Sequence, residues 1–398
     1  MRSKTMEDVA RVTRKAQHRS DLLAPAELRP TLWTHELIPI SKPSLGSLEN
    51  SLVLDALQSG WISSKGPYIE QFEEAFAEYC GTRHCIAVAN GTVGLHLALA
   101  VFGITSGDEV IVPDLTFVAT ASAVRYTGAT PVFADIDPDT WCLDPADIAK
   151  KLTKRTKAII PVHLYGHPAP MREINELAKK NGLIVVEDAA EAHGAEYHGK
   201  RVGALGDVGV FSFYGNKIIT TGEGGALTTD SDEWAERAKF LRDHAMDRNI
   251  RYWHTDVGFN YRMTNIQAAI GVAQLRQIEP FINERREILE HYRRHLRHTH
   301  FRLNPETEGM RPVNWMTSVY ADSLTRATRD ELLAKLHSVG VDSRPFFYPI
   351  TALPMYEGGP NPVSARVSSG GLNLPTYIGL TGSDIAQVCT SLISAFDS

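Results

Sequence analysis

The pattern of apolar and polar positions alternates between two kinds of segment from residue 84 to residue 215. Short runs rich in valine and isoleucine predict β-strands, and longer amphipathic segments between them predict helices. The strand segments are HCIAVAN, DEVIVPD, TPVFADI, KAIIPVHLYG, LIVVEDAA and DVGVFSFYG. Nearly continuous apolar strands separated by helices are typical of sheets buried on both faces. The pattern therefore predicts an α/β fold with a mostly parallel sheet covered by helices.

The pattern changes on either side of this region. After about residue 275 the chain becomes a long charged helical segment, INERREILEHYRRHLRHT, followed by mixed helix and strand segments that include VDSRPFFYP as a strand. We therefore predict a large domain over residues 37–275 and a smaller α+β domain over residues 276–398. Residues 1–36 form a polar extension, which we expect to be peripheral or partly disordered.

Composition excludes several classes of protein. The 398 residues carry a formal net charge of -6, which argues against a nucleic-acid surface and against a basic membrane-binding face. The four cysteines have no zinc-like spacing and are too sparse for a disulfide framework, so we expect reduced cysteines and no metal site. No apolar run approaches the ~20 residues that a membrane span needs. We expect a cytoplasmic protein.

The stretch SFYGNKIITTGEGG, residues 212–225, raises the first chemical question because it contains a single lysine, Lys217. An isolated lysine is more often an exposed surface charge. Here the residues before it resemble a strand that enters the core, and the glycines after it permit a tight turn. We therefore expect partial desolvation, which lowers the pKa of a lysine ammonium and suits it to form a Schiff base with a carbonyl.

Two other predicted strand ends carry candidate ligand groups. In NGTVGL the chain turns through Gly91 and Thr92 into a helix, whose first N–H groups are suited to a phosphate, although any glycine-containing turn of this kind looks similar. Asp188 ends the strand of IVVEDAA, where a helix N-cap is the default interpretation. A functional role is favoured if a cation lies opposite, and a protonated pyridine nitrogen is such a cation.

Ligands of parallel sheets bind where the strands end, so we expect these groups to meet. Lys217 as a Schiff-base former, Asp188 as a ring partner, and Ser212 with the glycine turn as phosphate ligands together describe a pyridoxal 5′-phosphate site. Asn216 lies at the same strand end as Lys217. Phe117, in the loop of DLTFVATA, is a candidate to stack on the cofactor ring, although a single aromatic is more often a core residue.

Several long motifs resemble those of the nucleotide-sugar aminotransferases, a DegT-type family with the aspartate-aminotransferase fold. They are EDAAEAHGA, FSFYGNKIITTGEGG, GFNYRMTNIQAAIG, WISSKGP, NGTVGLHLAL, PVHLYGH and LNLPT, and they match in order and spacing from about residue 38 to the C-terminus. The resemblance implies fold type I of the PLP-dependent transferases and transfer of an amino group from L-glutamate to a keto-deoxy sugar nucleotide. The similarity is greatest to members that aminate C4 of GDP-4-keto-6-deoxymannose.

The resemblance also assigns roles to individual residues. Lys217 would bond to the cofactor aldehyde and shuttle the proton between cofactor and substrate carbon. Asp188 would pair with the pyridine nitrogen, and Glu191 would lie near the ring hydroxyl, where many relatives have glutamine. The residues implied to hold the phosphate are Gly91, Thr92 and Ser212.

A second copy of the chain is also implied. Asn260, in GFNYR, would reach the phosphate of the neighbouring subunit's cofactor, so that a homodimer with shared active sites is the minimum active unit. Arg262, in NYRM, is a candidate for contact with substrate phosphates because its fork suits their oxygens. A structural ion pair at an interface is nearly as good an interpretation of Arg262.

The remaining candidates concern the sugar. Ser63 and Ser64 in WISSKG are candidates for substrate contacts, and His163 and Tyr165 in VHLYG for bordering the cofactor or the sugar. His163 is equally well interpreted as a hydrogen-bonded core histidine. Tyr348 marks a departure from the family, since RPFFYP stands where related enzymes tend to have RPVFHP. This change weakens the assignment of the particular sugar.

Rival functions remain. An acceptor carrying UDP, dTDP or no nucleotide shares every feature above. PLP-dependent sugar dehydratases of this resemblance carry histidine at the lysine position, so Lys217 favours transamination. A dinucleotide-binding dehydrogenase would need a G-x-G-x-x-G turn that NGTVGL lacks, and a non-catalytic relative would more naturally have lost Lys217 or Asp188.

Overall fold

The computed structural model describes residues 37–356, 358–359 and 361–397, so the predicted N-terminal extension lies outside it. The strands of the described residues are β1 (His84–Val88), β2 (Glu109–Pro113), β3 (Thr130–Ala134), β4 (Thr156–Ile159), β5 (Ile184–Asp188), β6 (Glu196–Tyr197), β7 (Lys200–Arg201), β8 (Val208–Ser212), β9 (Gly225–Thr229), β10 (Arg302–Leu303), β11 (Met310–Arg311), β12 (Thr317–Tyr320), β13 (Arg344–Pro345) and β14 (Gly371–Leu374).

The α-helices of the same residues surround these strands. They are α1 (Ser47–Ser59), α2 (Pro67–Cys80), α3 (Gly91–Val101), α4 (Ala119–Tyr126), α5 (Pro145–Lys151), α6 (Met171–Asn181), α7 (Asp232–Arg242), α8 (Asn265–Leu275), α9 (Ile278–Leu296), α10 (Arg326–Ser338), α11 (Pro362–Gly370) and α12 (Gly382–Asp397). Among the described residues, none of the helices combines the length and the apolar character needed to span a membrane.

The largest sheet has seven strands in the order β1-β9-β8-β5-β4-β2-β3. The strands from β8 to β3 run parallel to one another, and β9 runs antiparallel to both of its neighbours. This arrangement confirms the prediction of a mostly parallel mixed sheet. The sequence pattern did not indicate β9, because GALTT has no apolar run and its place is fixed by pairing with β1 and β8.

Both faces of this sheet are covered, as the apolar strands predicted. Alternate residues of one strand pack into different cores: Val110 of β2 lies with α3 and α7, whereas the adjacent Ile111 lies with α2 and α8. Strand β8 divides in the same way between Val210 and Phe211. Because full burial of such a side chain contributes about 1.5–3 kcal/mol, a strand apolar on both faces is stable only between two layers of helices.

A second sheet, of order β10-β12-β14-β13, is antiparallel throughout and lies within residues 276–398. The predicted strand VDSRPFFYP is shorter in the structure, because only Arg344 and Pro345 pair with β14. Beyond them the chain leaves the sheet, and Phe347 donates its backbone N–H to the hydroxyl of Tyr165 instead. The division into two domains at residues 275 and 276 stays a prediction.

Two buried carboxylates attach the segment after β13 to the large sheet. Asp114, just after β2, accepts hydrogen bonds from Thr351 and Asn361. Asp135, just after β3, accepts from the backbone of Val363 and Ser364 at the start of α11. These contacts hold the segment that contains Phe347 beside the carboxyl ends of the parallel strands.

Candidate active site

A cavity of about 510 Å³ lies at the carboxyl ends of the central parallel strands. It brings together most of the residues that the sequence singled out for a cofactor, although they come from four separate segments. Those that line it are Gly91, Thr92, Phe117, Asp188, Glu191, Ser212, Asn216 and Lys217. The parallel strands account for this convergence, because their carboxyl ends meet at one edge of the sheet.

Lys217 lies in the loop that follows β8, and a turn from Tyr214 directs its side chain into the cavity. The side chain is only 11% exposed, and its Nζ lies 3.7 Å from Oε1 of Glu191. Burial lowers the pKa of Lys217, while the nearby carboxylates of Glu191 and Asp188 oppose that shift. An amine in this environment is more readily neutral than one on the surface, which is the form that attacks a carbonyl or accepts a proton.

Asp188 is the last residue of β5 and is buried. Its Oδ2 accepts a hydrogen bond of 2.7 Å from the hydroxyl of Thr120, and its Oδ1 accepts one of 3.2 Å from the backbone N–H of Ala190. Burial raises the pKa of Asp188. Because both hydrogen-bond donors are uncharged, a cationic ligand in the cavity would stabilise the carboxylate, as a protonated ring nitrogen does.

Glu191 faces Lys217 from the loop after β5. Its second oxygen, Oε2, accepts a hydrogen bond of 2.8 Å from the backbone N–H of Tyr165, which fixes the carboxyl group. Burial raises the pKa of Glu191 to about 7, with the positive charge of Lys217 acting in the opposite direction. The Glu191 carboxyl group therefore changes its protonation state close to neutral pH.

The turn from β1 into α3 forms a candidate phosphate cradle with Ser212. The side chain of Asn90 caps α3 by accepting a hydrogen bond of 3.0 Å from the backbone N–H of Val93. A Cβ atom on Gly91 would lie 2.8 Å from the Cβ of Ser212, so glycine is required for this close approach. The first N–H groups of a helix have no partner within it and attract anions, so Gly91, Thr92 and Ser212 fit a phosphate.

Three residues that the sequence did not indicate complete the site. Thr120 holds Asp188, Trp315 places its ring 3.9 Å from Nζ of Lys217, and Phe347 lines the cavity 5.7 Å from the ring of Phe117. Phe117 itself is 54% exposed, which fits a ring that faces a ligand better than a core residue. Thr120 lies in the first turn of α4, just after the loop of Phe117, and no pattern around it indicated a contact with Asp188. Trp315 and Phe347 are too distant along the chain to be linked to Lys217 by spacing.

His163 and Tyr165 are buried beside the cavity rather than in its lining. The Nε2 of His163 lies 3.0 Å from Glu187, and its Nδ1 accepts a hydrogen bond from the backbone of Ala169. Both ring nitrogens are thus occupied by protein groups, which fits the core interpretation and not a substrate contact. Tyr165 uses its hydroxyl to hold Phe347 and borders the site only indirectly.

The other candidates for substrate or partner contact lie outside the cavity lining. Arg262 forms an ion pair of 2.7 Å with Asp243 and donates a hydrogen bond of 3.0 Å to Asn260. The ring of Tyr348 lies 4.6 Å from the guanidinium group of Arg326 and 5.5 Å from that of Arg329. Its neighbour Phe347 lines the cavity instead. Ser63 and Ser64 lie beside the N-terminus of α8, where the carbonyl of Ser63 accepts from the backbone of an asparagine.

The residues present fit pyridoxal 5′-phosphate. The cavity offers a desolvated amine, a buried carboxylate with room for a cation, and a helix N-terminus approached closely by a serine. The side-chain carbonyl oxygen of Asn216 is buried without a hydrogen-bond partner among the described residues, although it lines the same cavity. These groups match the aldehyde, ring nitrogen and phosphate of that cofactor.

Comparison with known proteins agrees with this chemistry. Residues 43–393 match the DegT/DnrJ/EryC1/StrS aminotransferase family. The chain is 47% identical to the GDP-perosamine synthase of Caulobacter vibrioides over 360 residues, which cover 89% of this chain and 97% of that enzyme. It is 44% identical to the GDP-perosamine synthase of Escherichia coli O157:H7, with the same two coverages.

Solved structures show the same architecture. The protein Spr1654 of Streptococcus pneumoniae superposes in its PMP-form with a TM-score of 0.88 at 26% identity, covering 91% of this chain and 98% of that one. Its PLP-form gives a TM-score of 0.87 at the same identity. Since the family match spans nearly the whole described chain and the cavity fits the cofactor, the protein belongs to the DegT/DnrJ/EryC1/StrS aminotransferase family and is a PLP-dependent aminotransferase.

Proposed function

We propose that this enzyme transfers the amino group of L-glutamate to C4 of GDP-4-keto-6-deoxymannose and so forms GDP-perosamine. The observation that carries the reaction type is the presence of Lys217, Glu191 and Asp188 in the lining of one cavity. Identity of 47% and 44% to two GDP-perosamine synthases, each over 89% of the chain, supports the choice of acceptor. The presence of RPFFYP where related enzymes tend to have RPVFHP bears less on this choice, because the ring of Tyr348 lies outside the cavity lining.

Lys217 carries the covalent and proton-transfer work. When bound, pyridoxal 5′-phosphate supplies an aldehyde that carries the amino group and a ring that withdraws electrons from the reacting carbon. As a neutral amine, Lys217 takes the proton from the α-carbon of L-glutamate, and as an ammonium it returns a proton to C4 of the sugar. Burial provides the first state by lowering the pKa of Lys217, and the Glu191 carboxylate favours the second.

The other cavity residues hold the cofactor. Asp188 would hold the ring nitrogen in its protonated form, with Thr120 fixing the carboxylate. The N–H groups of Gly91 and Thr92, with the hydroxyl of Ser212, would hold the phosphate. Phe117 and Phe347 lie on one apolar part of the cavity lining, where they would limit the access of water to the reacting carbon once the ligands are bound.

The active unit in this proposal is a homodimer in the cytoplasm, with Asn260 reaching the cofactor phosphate of the neighbouring subunit. Support comes from a cluster of large apolar side chains on the loop before Asn260. Tyr252, Trp253 and Val257 are 74%, 59% and 82% exposed in the single chain. Apolar side chains exposed together to this degree mark a surface that another protein covers.

The acceptor is tested with a panel of keto sugars. The purified enzyme, PLP and L-glutamate are incubated with the GDP-linked 4-keto-6-deoxy sugar and with UDP-linked, dTDP-linked and nucleotide-free keto sugars, and product masses are followed. We expect amination of the GDP-linked sugar with at least a tenfold higher kcat/KM, about 1.4 kcal/mol of selectivity. Amination of only a non-GDP sugar would reject the perosamine assignment while leaving the reaction type intact.

The role of Lys217 is tested by absorbance. The wild-type protein with PLP should show a band in the visible near-violet, and Lys217→Ala should lack it because, within the part of the chain that the structure describes, no other residue of the cavity lining is an amine. Lys200→Ala is a matched control, since Lys200 is an exposed lysine of β7 and should leave the band unchanged. A visible band of full intensity in Lys217→Ala would show that another residue binds the aldehyde.

A further inference from the structure

Trp315 packs against Lys217 and is held there by hydrogen bonds from both its side chain and its backbone. Nζ of Lys217 lies 3.9 Å from the centre of the indole ring, over its face. The indole N–H donates a hydrogen bond of 2.7 Å to the carbonyl of Asn216, the residue that precedes the lysine. The backbone carbonyl of Trp315 accepts a hydrogen bond of 2.7 Å from the buried guanidinium of Arg285. The ring and the lysine loop are thus held in one unit.

The turn of PVHLYG is shaped to receive this tryptophan. Trp315 donates its backbone N–H to the carbonyl of Tyr165 at 3.2 Å, and Tyr165 has a left-handed backbone with φ of 52°. Gly166 follows with φ of 93°, and a Cβ there would lie 3.0 Å from the backbone nitrogens of both Asn314 and Trp315. Glycine is therefore needed for the two segments to approach, and the approach is what places the indole under the lysine.

The charged groups around Lys217 have opposing effects on its protonation, and the indole of Trp315 adds to them. Glu191 and Asp188 favour the ammonium form of Lys217, while burial disfavours it. His193 packs nearby without charge, because burial lowers its pKa to about 3. The other titratable side chains in the cavity lining are Tyr126, Tyr214 and Glu223. The Glu191 carboxylate acts on Nζ from 3.7 Å, which is beyond ordinary hydrogen-bond length, and the indole face of Trp315 lies at a similar distance of 3.9 Å, where it also stabilises a cation.

We propose that Trp315 is a positioning residue for Lys217, whose indole face holds the ε-ammonium at the cavity whenever the lysine is not bonded to another group. The proposal rests on the proposed function, in which Lys217 alternates between a neutral amine and an ammonium. A cation over an aromatic face is attracted by the negative potential of the ring, and the attraction is stronger where water is excluded. The ring thus offsets part of the cost of burying the charge.

The test measures the basicity of Lys217 directly in the full-length protein stripped of cofactor. Competitive labelling with acetic anhydride across a pH series, read by mass spectrometry of the Lys217 peptide, gives the midpoint of its titration. In Trp315→Met, which fills the space without an aromatic face, we expect the midpoint to fall by about one pH unit, a tenfold change in basicity. Trp315→Phe keeps a ring face and should stay near wild type. Trp141→Met removes an equally buried tryptophan elsewhere and should not shift it.

Fluorinated tryptophan provides a second measurement that creates no cavity and does not depend on the folding of Trp315→Met. Fluorination weakens the negative face of the ring, so the midpoint of Lys217 should fall progressively with fluorine content when all 6 tryptophans are replaced. The same replacement in Trp315→Phe is the control and should produce no such trend.

An unchanged or raised midpoint in folded Trp315→Met, or a fluorine trend that persists in Trp315→Phe, would overturn the proposal. Equal midpoints in the Phe and Met variants would also overturn it, by showing that only the hydrogen bond to Asn216 matters. Labelling requires neither donor nor sugar. A failure of the proposed acceptor therefore appears in the substrate panel and leaves these outcomes unaffected.

Discussion

Replacing Gly225 with alanine tests how closely the sheet must approach the candidate phosphate cradle. Gly225 begins β9, where it pairs with Val88 and Ser212. An added Cβ would lie 2.5 Å from the carbonyl carbon of Asn90, 2.7 Å from its oxygen and 2.8 Å from the nitrogen of Gly91. All three atoms belong to the backbone of the turn that begins α3, so no side chain can rotate to relieve the overlap.

The size of the effect follows from these distances. Carbon atoms in contact lie ~3.5–4.0 Å apart, so the turn must move by about 1 Å. Overpacking of this kind costs about 1–3 kcal/mol. The displacement also disturbs the cap that Asn90 provides to Val93, worth about 1 kcal/mol. We expect the free energy of unfolding of the cofactor-free protein to fall by ~2–4 kcal/mol and PLP to bind at least about tenfold more weakly.

Urea unfolding at fixed protein concentration measures the first quantity, and titration of the visible band with PLP measures the second. Gly215→Ala is the matched control, because Gly215 lies in the same lysine-bearing stretch and a Cβ there meets no atom within 4 Å. It should leave the free energy of unfolding within about 1 kcal/mol of wild type. Wild-type stability and PLP affinity in Gly225→Ala would refute the reasoning, since they would mean that the turn needs no such close approach.

Three further predictions concern the cavity. Asp188→Asn should lower kcat by more than about a hundredfold, ~2.7 kcal/mol. It should nevertheless raise the free energy of unfolding of the cofactor-free protein at pH 8, because burial raises the pKa of Asp188 and its ionisation in the folded state costs free energy. A lower free energy of unfolding in urea would contradict this. Burial raises the pKa of Glu191 from 4.5 to about 7, so its contribution to stability is full below pH 4.5 and is lost as the pH rises through 7. Glu191→Gln should remove this pH dependence, which amounts to at most about 3.4 kcal/mol. The same change in the free energy of unfolding between pH 4.5 and pH 7.5 in both proteins would count against it. Phe347→Ala should lower kcat/KM for the GDP-linked sugar at least about tenfold, whereas Tyr348→His should change it less than about threefold, because of these two neighbours Phe347 is the one that lines the cavity. A larger loss of kcat/KM in Tyr348→His than in Phe347→Ala would show that Tyr348 contacts the sugar.

The fold was predictable in those parts where burial leaves a local pattern. Strand β2 reads EVIVP and is buried at all five positions, so its sequence alone indicates a central strand. Strand β9 reads GALTT and has no such pattern, since four of its five residues are small or polar and its pairing with β1 and β8 decides its conformation. The short β13 shows the opposite error, because an apolar run after Pro345 packs its rings around Tyr165 instead of continuing the strand.

The candidate site divides along the same line. Lys217, Asp188 and Gly91 each stand at the end of a recognisable strand, so their convergence followed from the parallel sheet. Thr120 and Trp315 come from other segments, and no spacing links them to the groups they hold. The surroundings of His163 were likewise decided by packing, because Glu187 and Ala169 occupy its two ring nitrogens.

The sequence by itself determined the alternation of strands and helices, the family and the chemical identity of the reactive groups, because these depend on residue types and on neighbours along the chain. Only the tertiary structure decided which side chains surround each reactive group. Lys217 is desolvated by groups from distant segments. The carboxyl group of Glu191 lies 3.7 Å from its Nζ and the indole of Trp315 lies 3.9 Å from it, although Trp315 is 98 residues away along the chain. The reactivity of a buried amine depends on the dielectric and the charges within a few ångströms of it, and those are properties of packing in three dimensions.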